Sequence, residues 1–87
     1  MKWTVELSKL ALSHLKSLDK PIREQIEKFI QRLEESSNPR GMGKALIGNR
    51  KGLWRYRVGD YRLVCEIKNN QLIVLVVEIE HRSKVYR

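Results

Sequence analysis

The hydrophobic period of this chain changes once, and that change dictates most of its fold. Up to about residue 35, apolar side chains recur at helical spacing. From Leu53 onward they alternate with a period of two. The first spacing lines one side of a helix, and the second lines one face of a half-buried strand. A chain with both patterns in separate blocks must pack helices against a sheet. With 87 residues there is room for one domain and not for a second. A domain of this size buries only about 60–65% of its unfolded surface. Its working surface is therefore expected to be a groove or a flat face rather than a deep pocket.

The first block opens with an alternating segment, Lys2 to Leu7, in which Trp3, Val5 and Leu7 share a side. It is expected to form a short strand. Ser8 then serves as a helix N-cap, and Leu10, Ala11, His14, Leu15 and Leu18 repeat at helical spacing. Asp19 and Pro21 mark the start of a second helix. Ile22, Ile26, Phe29, Ile30 and Leu33 form its apolar stripe, and Ser36-Ser37-Asn38-Pro39 ends it. The short link predicts an αα-hairpin. Residues 40–52, rich in Gly, Lys and Arg, are expected to be a loop.

The second block holds three strands: Leu53–Val58, Tyr61–Lys68 and Gln71 to about Ile79. Gly59-Asp60 and Asn69-Asn70 are expected as two-residue turns. Ser83 to Arg87 is a tail. The expected fold is α+β, in the order β-α-α-β-β-β, with the helix hairpin covering one face of a small, mainly antiparallel twisted sheet.

A turn at Gly59-Asp60 fixes the hairpin register, and register fixes which side chains meet. Val58 then pairs with Tyr61, Arg57 with Arg62, and Arg55 with Val64. Arg55, Arg57 and Arg62 share one face. Trp54, Tyr56, Val58, Leu63, Cys65 and Ile67 share the other, joined by Leu72, Val74 and Val76. Like charges directly opposite each other weaken a sheet by up to roughly 1 kcal/mol. Two readings of Arg57 against Arg62 stay open. An anion between them would turn repulsion into a binding site, since the guanidinium fork suits phosphate. Alternatively, all three side chains extend into water and shield the sheet with their stems.

The charge balance bears on that choice. Eighteen Lys and Arg oppose ten Asp and Glu, for a net charge of +8. Residues 1–43 contain eight cations and six anions, whereas residues 44–87 contain ten and four. A net +2 and a net +6 follow, so the excess belongs to the strand block. Such an excess implies a polyanionic partner, nucleic acid first. No membrane partner is expected, because the longest apolar run, Leu72 to Val77, is far short of the roughly 20 residues of a spanning helix. Met1-Lys2-Trp3-Thr4-Val5-Glu6 lacks the pattern of a secretory leader. With Cys65 as the single cysteine, the expected location is the cytoplasm.

Side chains able to do chemistry are few. No HExxH motif, Cys/His cluster or phosphate-binding glycine loop is present, so neither metal nor cofactor is expected. His14 falls on the apolar stripe and is expected to be a helix-face or core histidine. Cys65 falls on the core face and is expected to be inert. His81 ends the last strand beside Arg82. Tyr86 follows four residues later, and guanidinium groups around a phenol favour its ionised form.

Together, the element order, the segment Trp54-Arg55-Tyr56-Arg57-Val58-Gly59-Asp60-Tyr61-Arg62-Leu63-Val64 and the ending His81-Arg82-Ser83-Lys84-Val85-Tyr86-Arg87 resemble the RelE/ParE superfamily of bacterial type II toxins, and more narrowly its RelE branch. The resemblance spans nearly the whole chain. It implies a ribosome-dependent endoribonuclease that cuts messenger RNA in the A site without a metal, held inactive by a cognate antitoxin. The implied partners are that antitoxin, messenger RNA and the 70S ribosome with its 16S rRNA; DNA is met only through the antitoxin complex. The family's functional positions correspond to Arg55, Arg57, Arg62, Arg82 and Tyr86. In the implied transesterification, the RNA 2′-OH attacks the adjacent phosphorus and expels the 5′-oxygen. Tyr86 would be the base, and Arg57 and Arg62 would hold the developing charge. Arg55 would bind the backbone and favour the phenolate, while Arg82 would act at the leaving oxygen as acid or charge stabiliser. Some relatives have Lys where this chain has Arg55 and Arg57; because Arg does not release its proton, the base role falls more heavily on Tyr86. Lys44, Arg50, Lys51, His81, Lys84 and Arg87 are the expected RNA or ribosome contacts. Strict alternation would place Arg82 on the core side, so the last strand is expected to end or bulge near Glu80-His81. Two further functions fit the same residues less fully: a ParE-like gyrase inhibitor, and a non-catalytic nucleic-acid or ribosome-binding module.

Overall fold

A computed structural model describes residues 3–81. Strand β1 spans Thr4–Leu7, helix α1 Lys9–Lys16 and helix α2 Lys20–Glu35. The Ser8 hydroxyl accepts the Ala11 N–H at 3.0 Å and starts α1 as an N-cap should. Pro21 stands at the start of α2, where a missing N–H is harmless. Ile26, Phe29 and Leu33 of α2 are buried, with Ile22 and Ile30 packed beside them. On α1, Ala11 and Leu15 are buried, but Leu10 is 52% exposed. It lies a third of a turn from Ala11, and a helix this short offers the sheet only a narrow face.

The sheet has five strands, in the order β1-β5-β4-β3-β2. Strands β3 (Trp54–Val58), β4 (Tyr61–Lys68) and β5 (Ile73–His81) form an antiparallel meander, and β1 joins β5 in parallel. The additional strand β2 is only Lys44–Ala45, paired to β3 within the segment expected as a loop. Two residues leave too little alternation to be seen in a sequence.

The β3–β4 register is the expected one: Val58 opposes Tyr61, Arg57 opposes Arg62, and Arg55 opposes Val64. The β4–β5 connection differs. It is a 3-10 turn over Asn69–Gln71 followed by Leu72 at φ 54°, so Lys68 pairs with Ile73 rather than Gln71. The left-handed residue is Leu72 and not an asparagine. This shifts the register by two residues, and an even shift leaves every side chain on its expected face. Val74 and Val76 are accordingly buried in the core, while Leu72 sits in the turn.

An odd shift follows farther along. Cys65 pairs with Val76 but Val64 pairs with Glu78, so Val77 is an extra residue, a β-bulge. Beyond it the faces of β5 exchange. Ile79 joins the core, and Glu78 and Glu80 turn to the face that carries the arginines. The bulge was expected near Glu80-His81 and lies at Val77. Helix α1 holds it there. Strand β1 ends beside Val76, where the Ser8 N–H still donates to the Val76 carbonyl. The Ser8 hydroxyl then donates to the Val77 carbonyl at 2.6 Å, and the Ile79 N–H donates to His14 Nδ1 at 3.2 Å. The Ser8 cap and the His14 ring thus replace a strand partner.

The core lies between the helices and the sheet. Tyr56 is fully buried at its centre, 5.5 Å from the Phe29 ring, and its hydroxyl donates to the Pro39 carbonyl. Burial raises the Tyr56 pKa, so this phenol stays neutral. Cys65 is buried too, and desolvation pushes its thiol up to about 12. It is inert, as its place in the alternation implied.

Gly43 lets the chain turn into β2. A Cβ there would lie 2.2 Å from the Arg55 carbonyl oxygen and 2.8 Å from the Tyr56 ring. Gly43→Ala is therefore expected to cost about 1–3 kcal/mol, as overpacking does. Urea unfolding would read this as a lower midpoint at unchanged slope. His14→Leu leaves the Ile79 N–H unpaired and is expected to cost about 1–3 kcal/mol. His14→Gln, which keeps an acceptor, should recover part of that loss in the same measurement.

Candidate nucleic-acid interface

The sheet face away from the helices can be read as two rows that cross the strands. One row runs Lys44, Arg55, Val64, Glu78, and the other runs Arg57, Arg62, Glu80. Each row begins with cations at the β2–β3 edge and ends with a carboxylate on β5. The three arginines expected on one face do lie together, and Lys44 extends them.

Arg62 is the most unusual of them. It is only 8% exposed, and its Nε has no hydrogen-bond partner among the described residues. A buried guanidinium group with an unsatisfied N–H is costly unless an anion completes it. Its cross-strand neighbour Glu80 supplies nearby negative charge. Val64, beside it on this face, is fully buried as well.

A clamp closes the β5 side of this face. Arg50, in the connection between β2 and β3, donates through Nη1 to Glu80 at 3.1 Å. Through Nη2 it donates to Glu80 and to Glu78, each at 2.5 Å. The Arg50 hydrogen bond holds the Glu80 carboxyl below its usual range, against the opposing effect of burial; the Arg50 and Arg62 charges add to the lowering. The Glu80 hydrogen bond likewise raises Arg50. Sequence reasoning missed Glu78 and Glu80. The signal was present: strict alternation from Val74 and Val76 would bury two carboxylates in the core, and only a bulge between Val76 and Glu78 avoids that.

The other expected contacts are dispersed. Lys51 is exposed on the loop beside Arg50. His81 pairs with Tyr61 on the helix side of the sheet, its ring edge-on at 4.9 Å, and so lies on the face opposite the arginines. Arg82, Lys84, Tyr86 and Arg87 lie outside the described residues. Among the described residues no group of three or more His, Cys, Asp or Glu gathers where it could hold a metal ion. None of their helices is long and apolar enough to cross a membrane.

The helix hairpin thus covers one face of the five-stranded sheet, and the basic row lies on the other. A family model for the ParE toxin of type II toxin-antitoxin systems matches residues 5–86. The chain belongs to this family, within the RelE/ParE superfamily, and is a toxin of a type II system by that membership. Solved structures are similar over nearly its full length. A chain of the toxin-antitoxin complex RelBE2 from Mycobacterium tuberculosis is 26% identical, with a TM-score of 0.85, covering 94% of this chain and 100% of that one. The archaeal RelE-RelB complex from Pyrococcus horikoshii gives 24% identity and a TM-score of 0.75, covering 97% and 99%. A mutant of the E. coli toxin RelE in the free state gives 20% and 0.74, covering 99% and 88%. The last two likenesses speak for the fold alone. No curated protein matches the sequence.

The clamp makes a testable pH statement. Because Glu80 has a lowered folded-state pKa, its contribution is fully present above the ordinary carboxylate value of about 4.3. It is lost as the pH falls through the lowered value. A partly exposed cluster of this kind contributes about 1 kcal/mol. Glu78→Gln with Glu80→Gln should speed amide hydrogen exchange across residues 46–53 at pH 7. The same segment in the unaltered chain should exchange faster only below the ordinary carboxylate range, after correction for intrinsic rates.

Proposed function

We propose that this toxin is a ribosome-dependent endoribonuclease, acting on messenger RNA in the A site by metal-independent attack of the 2′-OH. The reaction asks for cations around a phosphorane, a base for the 2′-OH and a charge partner for the 5′-oxygen. Arg57 and Arg62, directly opposed on adjacent strands, are the pair suited to grip the non-bridging phosphate oxygens. Arg55, beside Lys44 in the neighbouring row, suits the adjoining backbone. Tyr86 takes the 2′-OH proton as the oxygen attacks phosphorus. Arg82 stabilises the 5′-oxygen as its bond to phosphorus breaks, and that oxygen takes a proton from solvent water, leaving a 2′,3′-cyclic phosphate and a free 5′-OH. Tyr56 is no candidate for the base, because its buried hydroxyl is already committed to Pro39.

The observation that carries this reading is Arg62, buried, with its Nε unsatisfied, and facing a second arginine across the hairpin. An anion bound at that pair removes both costs at once. The partners proposed with this activity are a cognate antitoxin that covers the basic face, and the ribosome with its bound message, in the cytoplasm. The single 87-residue unit is proposed to suffice for the activity. The family match itself favours one second reading, a gyrase inhibitor of the ParE kind.

Induction in growing bacterial cells, with mapping of transcript ends, separates the two. Cuts inside translated frames are expected. Arg62→Ala should reduce them by about 100-fold or more, the scale of losing one preorganised charge stabiliser. Tyr86→Phe should reduce them comparably, the scale of losing a general base. DNA breaks with intact transcripts would replace this reading by gyrase inhibition.

A further inference from the structure

Arg57 belongs to two recesses at once. One, of about 360 Å³, is lined by Lys44, Arg55 and Arg57 together with the Gly41–Gly43 turn. The other, of about 520 Å³, lies between α2 and the β3–β4 turn and contains Gln25, Lys28, Phe29, Arg32, Arg57 and Gly59. Among the described residues, no carboxylate lines either recess, and the nearest in sequence is Asp60, beside Gly59 in the β3–β4 turn. Glu24 and Glu27 are on the same helix but do not line this one.

The second recess has its own electrostatic oddity. Lys28 and Arg32 are four residues apart on α2, a spacing at which like charges repel. Arg32 is also steered: its guanidinium lies 5.7 Å from the centroid of the Phe29 ring. Phe29 is buried and forms part of the wall, so the charge is held on a fixed apolar base. Gln25 adds an amide that can donate to an oxygen.

We propose that this recess is a second phosphate-binding station, which takes the backbone of the same RNA strand after it leaves the arginine pair and passes around the β3–β4 turn. The proposal rests on the nuclease reading above and deepens it, because Arg57 links the two sites. The ligand is a phosphodiester chain. Lys28 and Arg32, two cations on one helix face, suit the sugar-phosphate backbone, and contacts of that kind position a strand without reading its sequence.

The test is equilibrium binding of a fluorescent 12-nucleotide 2′-O-methyl RNA to the full chain across a salt series. This probe cannot be cut through its 2′ position. Lys28→Gln with Arg32→Gln should lower the slope of log affinity against log salt by about 1.4, near 0.7 for each phosphate that is no longer neutralised. At low salt the affinity should fall about tenfold. Lys28→Arg with Arg32→Lys should keep the slope, which guards against a folding defect. Lys9→Gln with Lys16→Gln, removing equal charge from α1, should not change it. An equal drop in that control, or no drop in the recess variant, overturns the proposal. So does an unchanged RNA slope combined with weakened binding of a poly-glutamate peptide, which would assign the recess to an acidic protein. The nuclease reading fails separately, when transcript ends in cells are unaltered by induction whatever this binding shows.

Discussion

Everything on the basic face depends on one extra residue. Were Val77 paired in the ladder rather than bulged, the alternation of β5 would run unbroken from Val74, and Glu78 and Glu80 would point into the core. Burying two carboxylates beneath apolar helices would cost several kcal/mol each. The bulge instead sends both to the arginine face and returns Ile79 to the core. A bulge leaves backbone groups without ladder partners, so it needs support of its own. Ser8 and His14 provide it, with a hydroxyl for the Val77 carbonyl and a ring nitrogen for the Ile79 N–H. Since Nδ1 accepts that bond, the neutral ring carries its proton on Nε2. His14 is thus a structural residue whose effect is felt across the sheet.

The carboxylates brought over by the bulge change what the basic face is. Three arginines and Lys44 alone would repel one another. Glu80 opposite Arg62, and Arg50 folded onto Glu78 and Glu80, convert part of that repulsion into attraction. The balance is uneven along the rows. It favours the β5 end, where Arg50 is fully engaged, and leaves the Arg57–Arg62 pair with Arg62 Nε unsatisfied. A site that binds an anion needs this incompleteness: a fully neutralised cluster would gain nothing from phosphate.

Much of this was legible in the sequence, and the exceptions have physical causes. The β3–β4 register could be read because Gly59 and Asp60 allow only a tight turn, and Gly59 indeed takes φ 57°. The buried faces followed from alternation, and the helices from their apolar spacing. The β4–β5 turn was misread because asparagine is the usual left-handed residue, whereas here the chain continues to Leu72, whose apolar side chain is half-buried. The faces survived because the error was even. Strand β2 escaped notice because it owes its pairing to the absence of a side chain at Gly43, next to the Arg55 backbone, and to no pattern of its own. The threat of two buried carboxylates points to a bulge between Val76 and Glu78, but nothing in the loop pattern pairs them with Arg50, about thirty positions away.

The uneven balance also gives the face a direction. Among the described residues, an anion that approaches over β5 meets Glu78 and Glu80, which are already engaged with Arg50. One that approaches by the recess between α2 and the β3–β4 turn meets Lys28 and Arg32, with no carboxylate lining that recess among the described residues, although Asp60 stands next to Gly59 in the turn. At an effective dielectric of about 20, a unit charge 4 Å away contributes about 4 kcal/mol, so local sign outweighs the net charge of the molecule in choosing the path. Salt at physiological strength screens charges beyond about 8 Å, which sharpens that local choice further. On the proposed reading, the +8 of the whole chain draws the polyanion in, and among the described residues Glu78 and Glu80 disfavour the β5 side as its route to Arg62.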